Sequence, residues 1–187
     1  MAATDEAFPP KGRGLGRTAR RLVIGFLTVD AIALAFVVVG LQLSGLRIGV
    51  DVQRLLGEPA CMPSLVYLWH KPDRPTPRKG DYVVALMPET GLGLGARKGD
   101  RIVKKVMATA GDRVRISGTE LFINEAHSDR LWLAKSIPGK APGDFDTDTV
   151  MVEHEIFLMG TTQESFDSRY WGTLSREAVI GYAIPLL

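Results

Sequence analysis

Two hydrophobic regimes divide the chain. From Leu22 to Leu46 apolar residues run through 25 positions whose only charge is Asp30, more than the roughly 20 residues that span a bilayer as a helix. The run also exceeds the ~7–15 apolar residues of a cleaved signal peptide, so it reads as a retained transmembrane helix. Asp30 costs about 2.5–3.5 kcal/mol at a helix centre, whereas the fifteen Leu, Ile, Val and Phe side chains together contribute about −4.5 to −9 kcal/mol. Insertion wins. A carboxylate in such a run is either functional or tolerated near the interface, and Asp30 is left unassigned. A buried hairpin helix of a soluble protein is the competing reading, and the run has no amphipathic stripe to support it.

Beyond Leu46 the apolar runs are short and rich in β-branched or aromatic residues: SLVYLWH at 64–70, DYVVALM at 81–87, RIVKKVM at 101–107, DRVRI at 112–116, LFIN at 121–124 and EIFLMG at 155–160. Each predicts a strand. Turn-forming stretches at 71–81, 91–100, 110–113 and 117–120 separate them, which predicts a mainly β, antiparallel domain. Gly49–Leu56 and SREAVIG at 175–181 are the stretches that could carry a short helix or turn. Lys135–Asp148, with Pro138, Gly139, Pro142 and Gly143, predicts a long surface loop. GLGLGARKGD at 91–100 lacks the spacing of a phosphate loop and reads as a flexible turn. The expected organisation is a basic tail over 1–21, a transmembrane helix over 22–46 and one domain over 47–187.

Charge adds a direction. Lys11, Arg13, Arg17, Arg20 and Arg21 precede the apolar run, and only Arg47 and Arg54 closely follow it. The positive-inside rule then places the N-terminus in the cytoplasm and residues 47–187 outside, a single-pass inner-membrane protein with its body on the periplasmic side of the bilayer. After residue 21 the balance is 18 basic against 19 acidic residues, which argues against nucleic-acid binding. With 45% hydrophobic and 24% charged residues among 187, the chain is too apolar to be disordered. A lone cysteine, Cys61, excludes an intrachain disulfide and any multi-thiolate metal site. His70, His127 and His154 show no metal-ligand spacing, so no metal or other cofactor is expected.

Four places could carry chemistry. Cys61-Met62-Pro63 sets a nucleophile type shortly after the apolar run, although a free cysteine is more often a small buried hydrophobe. Lys104-Lys105 lies inside an apolar strand, where period-two alternation turns one ammonium toward apolar surroundings, the setting in which a lysine can serve as a neutral base. Alternation alone does not say which lysine that is, and an edge strand with a snorkelling lysine fits the same pattern. AGDRVRI at 110–116 supplies a Gly-Asp corner, and SFDSRYWG at 165–172 gathers Ser165, Asp167, Ser168 and Arg169 after the EIFLMG strand.

Taken in order, CMPSLVY, IVKKVMATAGDRVRI, LFIN and GTTQESFDSRYWGTLSREAVIGYAIPL resemble the type I signal peptidase family. The spacing of nucleophile to proline and the following Tyr67 are similar to the TraF-like peptidases of conjugative transfer systems. The resemblance implies that 47–187 is a signal peptidase-like β domain, that Cys61 stands at the family's serine, that Lys104 is the general base and that Lys105 is the basic residue beside it. It further implies that Ser165 orients the lysine and that Asp167 and Arg169 brace the loop. Two departures stand out: the nucleophile position holds cysteine, and the G-D-N-R start of the last motif is Gly160-Thr161-Thr162-Gln163. Pro59 occupies the place where some members carry an oxyanion-binding hydroxyl, which leaves backbone N–H groups as the donors.

The implied function is a membrane-anchored endopeptidase that cleaves exported precursors, signal-peptide-bearing or prepilin, with the lipid bilayer as its other partner. Two alternatives remain at this point. One is a non-catalytic relative that docks substrates or assembles with a secretion apparatus, and the other is a tethered β domain that binds envelope components. Ser64 is a rival nucleophile that starts a strand, where its side chain would cap or pack.

Overall fold

The computed structural model describes residues 16–58, 60–72, 76–88 and 97–186. The chain divides between Ser44 and Gly45 into two units. The first contains α1 (Arg17–Leu43). Its window Ile24–Leu41 has a mean hydropathy of 2.4, is not buried by protein, and is long and apolar enough to cross a membrane. The helix ends where Ser44 N–H bonds to Gly40 O at 3.0 Å and Gly45 takes φ +72°, a left-handed turn open to glycine without steric cost. Leu46, the last residue of the apolar run, therefore opens a strand instead of closing the helix.

The second unit is mainly antiparallel β. Its strands are β1 (Leu46–Val50), β2 (Val66–His70), β3 (Tyr82–Leu86), β4 (Arg101–Ala108), β5 (Arg113–Ser117), β6 (Glu120–Ile123), β7 (Ala126–Arg130), β8 (Thr147–Val150), β9 (Glu155–Met159), β10 (Leu174–Ser175) and β11 (Val179–Pro185). Seven of them pair in the order β1-β2-β11-β3-β4-β9-β10, and β7-β6-β5-β8 form a second sheet. One core cluster gathers Met87 and Ala108 with Val114, Ile116, Leu121, Phe145, Phe157 and Tyr170, uniting residues of both sheets, and a second fills the face of Val83, Val106, Leu158 and Tyr182.

Two short-helix expectations hold in part, and one loop expectation is corrected. Gly49–Leu56 carries the expected short helix, α2 (Val52–Leu55), capped by the Asp51 carboxylate, but Gly49 and Val50 close β1, which pairs with β2 through Arg47↔Trp69 and Gly49↔Tyr67. The strand was hidden because its apolar residues continue those of α1. Residues 175–181 do begin with a 3-10 turn (Arg176–Ala178), but Val179 opens the seven-residue β11, which pairs with both β2 and β3. Gly181 is required there, since a Cβ would lie 2.6 Å from both His70 O and the Trp69 ring. The segment 135–148 is not purely surface: Ile137 and Phe145 are buried, and Thr147 and Asp148 already belong to β8. That polar strand is held by Arg113, which grips Asp148 through two hydrogen bonds of 2.7 Å. Most of the 91–100 turn lies outside the described residues; its end, Arg97–Asp100, is closed by Arg97 N–H donating to Asp100 at 2.8 Å.

The Gly111-Asp112 corner carries the chain from the larger sheet to the smaller one. Gly111 adopts φ +86°, and the Asp112 carboxylate accepts from Thr109 N–H at 2.9 Å, Lys79 Nζ at 2.8 Å and Asn124 Nδ2 at 2.7 Å. Burial pushes this carboxyl up, but the three donors outweigh it and hold it below the ordinary carboxylate range. A group depressed in the folded state contributes stability above its unfolded pKa of about 3.9 and loses that contribution as pH falls through the folded value. Denaturant titrations of Asp112→Asn against the parent should therefore give a stability difference that is full near neutral pH and shrinks below about pH 4. Asp112→Ala should cost about 1–3 kcal/mol at pH 7 by stranding the three donors.

Candidate active site

Strand β4 decides which lysine is enclosed. Its register sets Lys104 opposite Val83 and Lys105 opposite Tyr82 and Met159. Lys104 is 1% exposed. Lys105 is half-buried, with Nζ 6.0 Å from the centre of the Tyr82 ring. The register thus resolves what alternation left open: the buried face of the strand carries Lys104 with Val106.

After β9 the chain turns through Gly160–Glu164 and buries Ser165, Asp167, Ser168 and Arg169 almost completely. Asp167 caps the short helix α3 (Ser168–Trp171), accepting from Arg169 N–H at 3.2 Å. Its two oxygens also accept from Gly160 N–H at 2.9 Å, Ser165 Oγ at 2.6 Å, and Arg169 Nε and Nη2 at 2.8 Å each. Burial alone would lower the Arg169 pKa, but the Asp167 carboxylate beside it holds the guanidinium above its ordinary value. The remaining nitrogen, Nη1, donates at 2.8 Å to both Asp129 and the Arg130 carbonyl of β7. Burial likewise pushes the neighbouring Tyr170 phenol up to about 12, and its oxygen accepts from Leu133 N–H at 2.9 Å.

Lys104 Nζ lies 2.8 Å from Ser165 Oγ. The polarity of this contact is fixed by counting hydrogens. A hydroxyl has one, a carboxylate only accepts, and Ser165 gives its hydrogen to Asp167; the serine oxygen must therefore accept from Lys104. In the neutral state an amine so held keeps a lone pair for another proton donor.

Cys61 is half-buried and packs beside Met62, Tyr67, Trp69 and Val84. Its main chain is clasped by the turn after β9: Thr161 N–H donates to Cys61 O at 3.0 Å, and Thr162 Oγ1 donates to Ala60 O at 2.5 Å. Gly160 sits at the meeting point, where a Cβ would overlap both Ser165 Oγ and the Cys61 carbonyl oxygen. The fold thus brings Cys61, Lys104, Ser165, Asp167 and Arg169 into one neighbourhood. Ser64 is buried just before β2, and Pro59 lies outside the described residues. Among the described residues no three His, Cys, Asp or Glu side chains converge as a metal cage. His127 pairs with Glu120 at 2.7 Å on the smaller sheet, away from this cluster.

Sequence reading missed three contributors. Gly160 and Thr162 belong to the stretch that departs from the family motif, and their use becomes visible only when residues 60–61 are seen against them. Asp129 lies in the polar strand β7, forty positions from Arg169; no local pattern links the two.

Comparison with known proteins agrees with this architecture. Over 86 residues the chain is 29% identical to a probable signal peptidase I-2 of Synechocystis sp., covering 45% of this chain and 37% of that protein. It is 24% identical over 110 residues to signal peptidase I of Leptolyngbya laminosa, covering 58% and 51% respectively. It is 27% identical over 137 residues to the plasmid transfer protein TraF of Escherichia coli, covering 65% and 77%. The chain thus spans about half or less of the length of the first two relatives. A family model described as "Signal peptidase, peptidase S26" matches residues 24–187, nearly the whole chain, which therefore belongs to the signal peptidase family of peptidases.

Proposed function

We propose that the chain is a membrane-anchored endopeptidase that cleaves exported precursors, with Cys61 as nucleophile and Lys104 as general base. The observation that carries this reading is the enclosed Lys104, whose Nζ donates at 2.8 Å to Ser165 Oγ, the hydroxyl that meets the Cys61 carbonyl at Gly160.

In this reading the Cys61 thiol passes its proton to Lys104, and the sulfur attacks the scissile carbonyl of an extended peptide. The tetrahedral oxyanion is stabilised by backbone N–H groups. Collapse breaks the C–N bond, Lys104 returns its proton to the departing amine, and the N-terminal fragment remains as a thioester on Cys61. Water, deprotonated by Lys104, then hydrolyses the thioester and restores the thiol. Cysteine suits the position because a thiol near pKa 8.5 ionises far more readily than a hydroxyl.

Several features support the surrounding picture. The five basic residues before the apolar run that starts at Leu22 support a cytoplasmic N-terminus, with residues 47–187 on the periplasmic side of an inner membrane. Similarity to a plasmid transfer protein supports a role in plasmid transfer, and within that role the substrate we propose is a pilin precursor.

Processing assays on a verified precursor test the assignment. Cys61→Ala and Lys104→Met should each lose roughly 10²–10⁴-fold in rate, whereas Ser64→Ala and Lys105→Ala should retain activity and Cys61→Ser should remain active with its pH optimum moved upward. Full activity of Cys61→Ala removes Cys61 from the mechanism, and inactive Ser64→Ala together with active Cys61→Ala transfers the role to Ser64. The brace has its own expectation. Arg169→Ala leaves the buried Asp167 carboxylate without its ion-pair partner and should cost about 3–5 kcal/mol in urea denaturation. Asp129→Asn should cost much less, since Asp129 is a third exposed and Arg169 keeps Asp167.

A further inference from the structure

Two consecutive carbonyl groups, Ala60 O and Cys61 O, are bound by neighbouring residues of the turn after β9, the first by Thr162 Oγ1 and the second by Thr161 N–H. Peptide bonds among the described residues are trans, and in a planar trans peptide the N–H points opposite to the C=O. Fixing these two carbonyls therefore turns Cys61 N–H and Met62 N–H away from the 161–162 turn. Neither has a hydrogen-bond partner among the described residues, although buried N–H groups almost always have one and Met62 is 2% exposed. Successive N–H groups facing one side make an anion-binding concavity, here on the residue that carries the thiol. The position two residues before Cys61 is Pro59, which has neither a hydroxyl nor an N–H to add.

We propose that Thr162 is a positioning residue for the oxyanion: through Ala60 O it sets the Cys61 peptide so that the amides of Cys61 and Met62 receive the negative oxygen formed when the sulfur adds to the carbonyl. This rests on Cys61 being the nucleophile. Thr162 touches no reacting atom, and its role is to hold an amide pair that takes the place of an amide with a side-chain hydroxyl. The loss on removing its hydroxyl falls on the transition state and leaves the bound ground state unchanged.

The test uses the full chain in detergent, a precursor peptide as substrate, and a peptide aldehyde with the same residues before the cleavage point. The aldehyde captures the sulfur as a hemithioacetal: the S–C bond forms, the C=O π bond opens onto oxygen, and the thiol proton is released to the base. Thr162→Val should lower kcat by about 10- to 100-fold with KM nearly unchanged. It should weaken aldehyde binding by a similar factor and leave thermal unfolding close to the parent, and Thr162→Ser should restore both kcat and aldehyde affinity. Cys61→Ala is the control. If Cys61→Ala is inactive while Thr162→Val matches the parent in kcat and aldehyde affinity, the role of Thr162 is overturned and the nucleophile stands. A loss that serine does not rescue, or one that falls equally on kcat, KM and unfolding temperature, assigns Thr162 to structure alone and also overturns the proposal. An active Cys61→Ala overturns the nucleophile and this inference with it.

Discussion

Everything at the centre of this domain depends on a carboxylate that has no access to water. Asp167 takes hydrogen bonds from Gly160, Ser165 and Arg169, and only a buried anion matched by a buried cation and satisfied at both oxygens is tolerable there. By claiming the single hydrogen of Ser165 it makes that hydroxyl an acceptor, which orients Lys104. By pairing with Arg169 it ties the loop to Asp129 and Arg130 of the smaller sheet. One ion pair thus reaches from the lysine on the larger sheet to a strand of the smaller sheet, and the Asp112 corner joins the same two sheets at another point.

The second constraint is the crossing at Gly160. The Cys61 carbonyl and the Ser165 hydroxyl approach this residue so closely that no side chain fits. The Thr161-Thr162 dipeptide, which replaces acidic and amide residues of the resembled motif, is used for main-chain attachment of residues 60–61. A departure that looks like a weakened motif in one dimension is a fastening in three.

How far the sequence could be read follows from where each signal lies. Strands β2 to β6 and β9 are compact apolar runs bounded by turn residues, and all were legible. Strand β1 was masked by the apolar run that precedes it, β8 (TDTV) and β7 (AHSDR) lack apolar alternation because edge strands carry polar side chains, and β11 begins beside the helix-forming residues Arg176–Ala178. Within the site, Ser165, Asp167 and Arg169 stand close together in sequence and were visible as a polar knot. The choice between Lys104 and Lys105 needed the pairing with β3, and Asp129 and Thr162 act across separations of 40 and 102 residues, beyond any local pattern.

The claim that Cys61 and Lys104 act as a unit is tested most directly by the rate at which iodoacetamide alkylates Cys61 near neutral pH, followed by intact mass in the full chain and in Lys104→Met. Because the thiolate is the reacting species and Lys104 is the proposed acceptor of the thiol proton, the account predicts alkylation roughly tenfold or more faster in the parent. Equal rates in two folded proteins would contradict it.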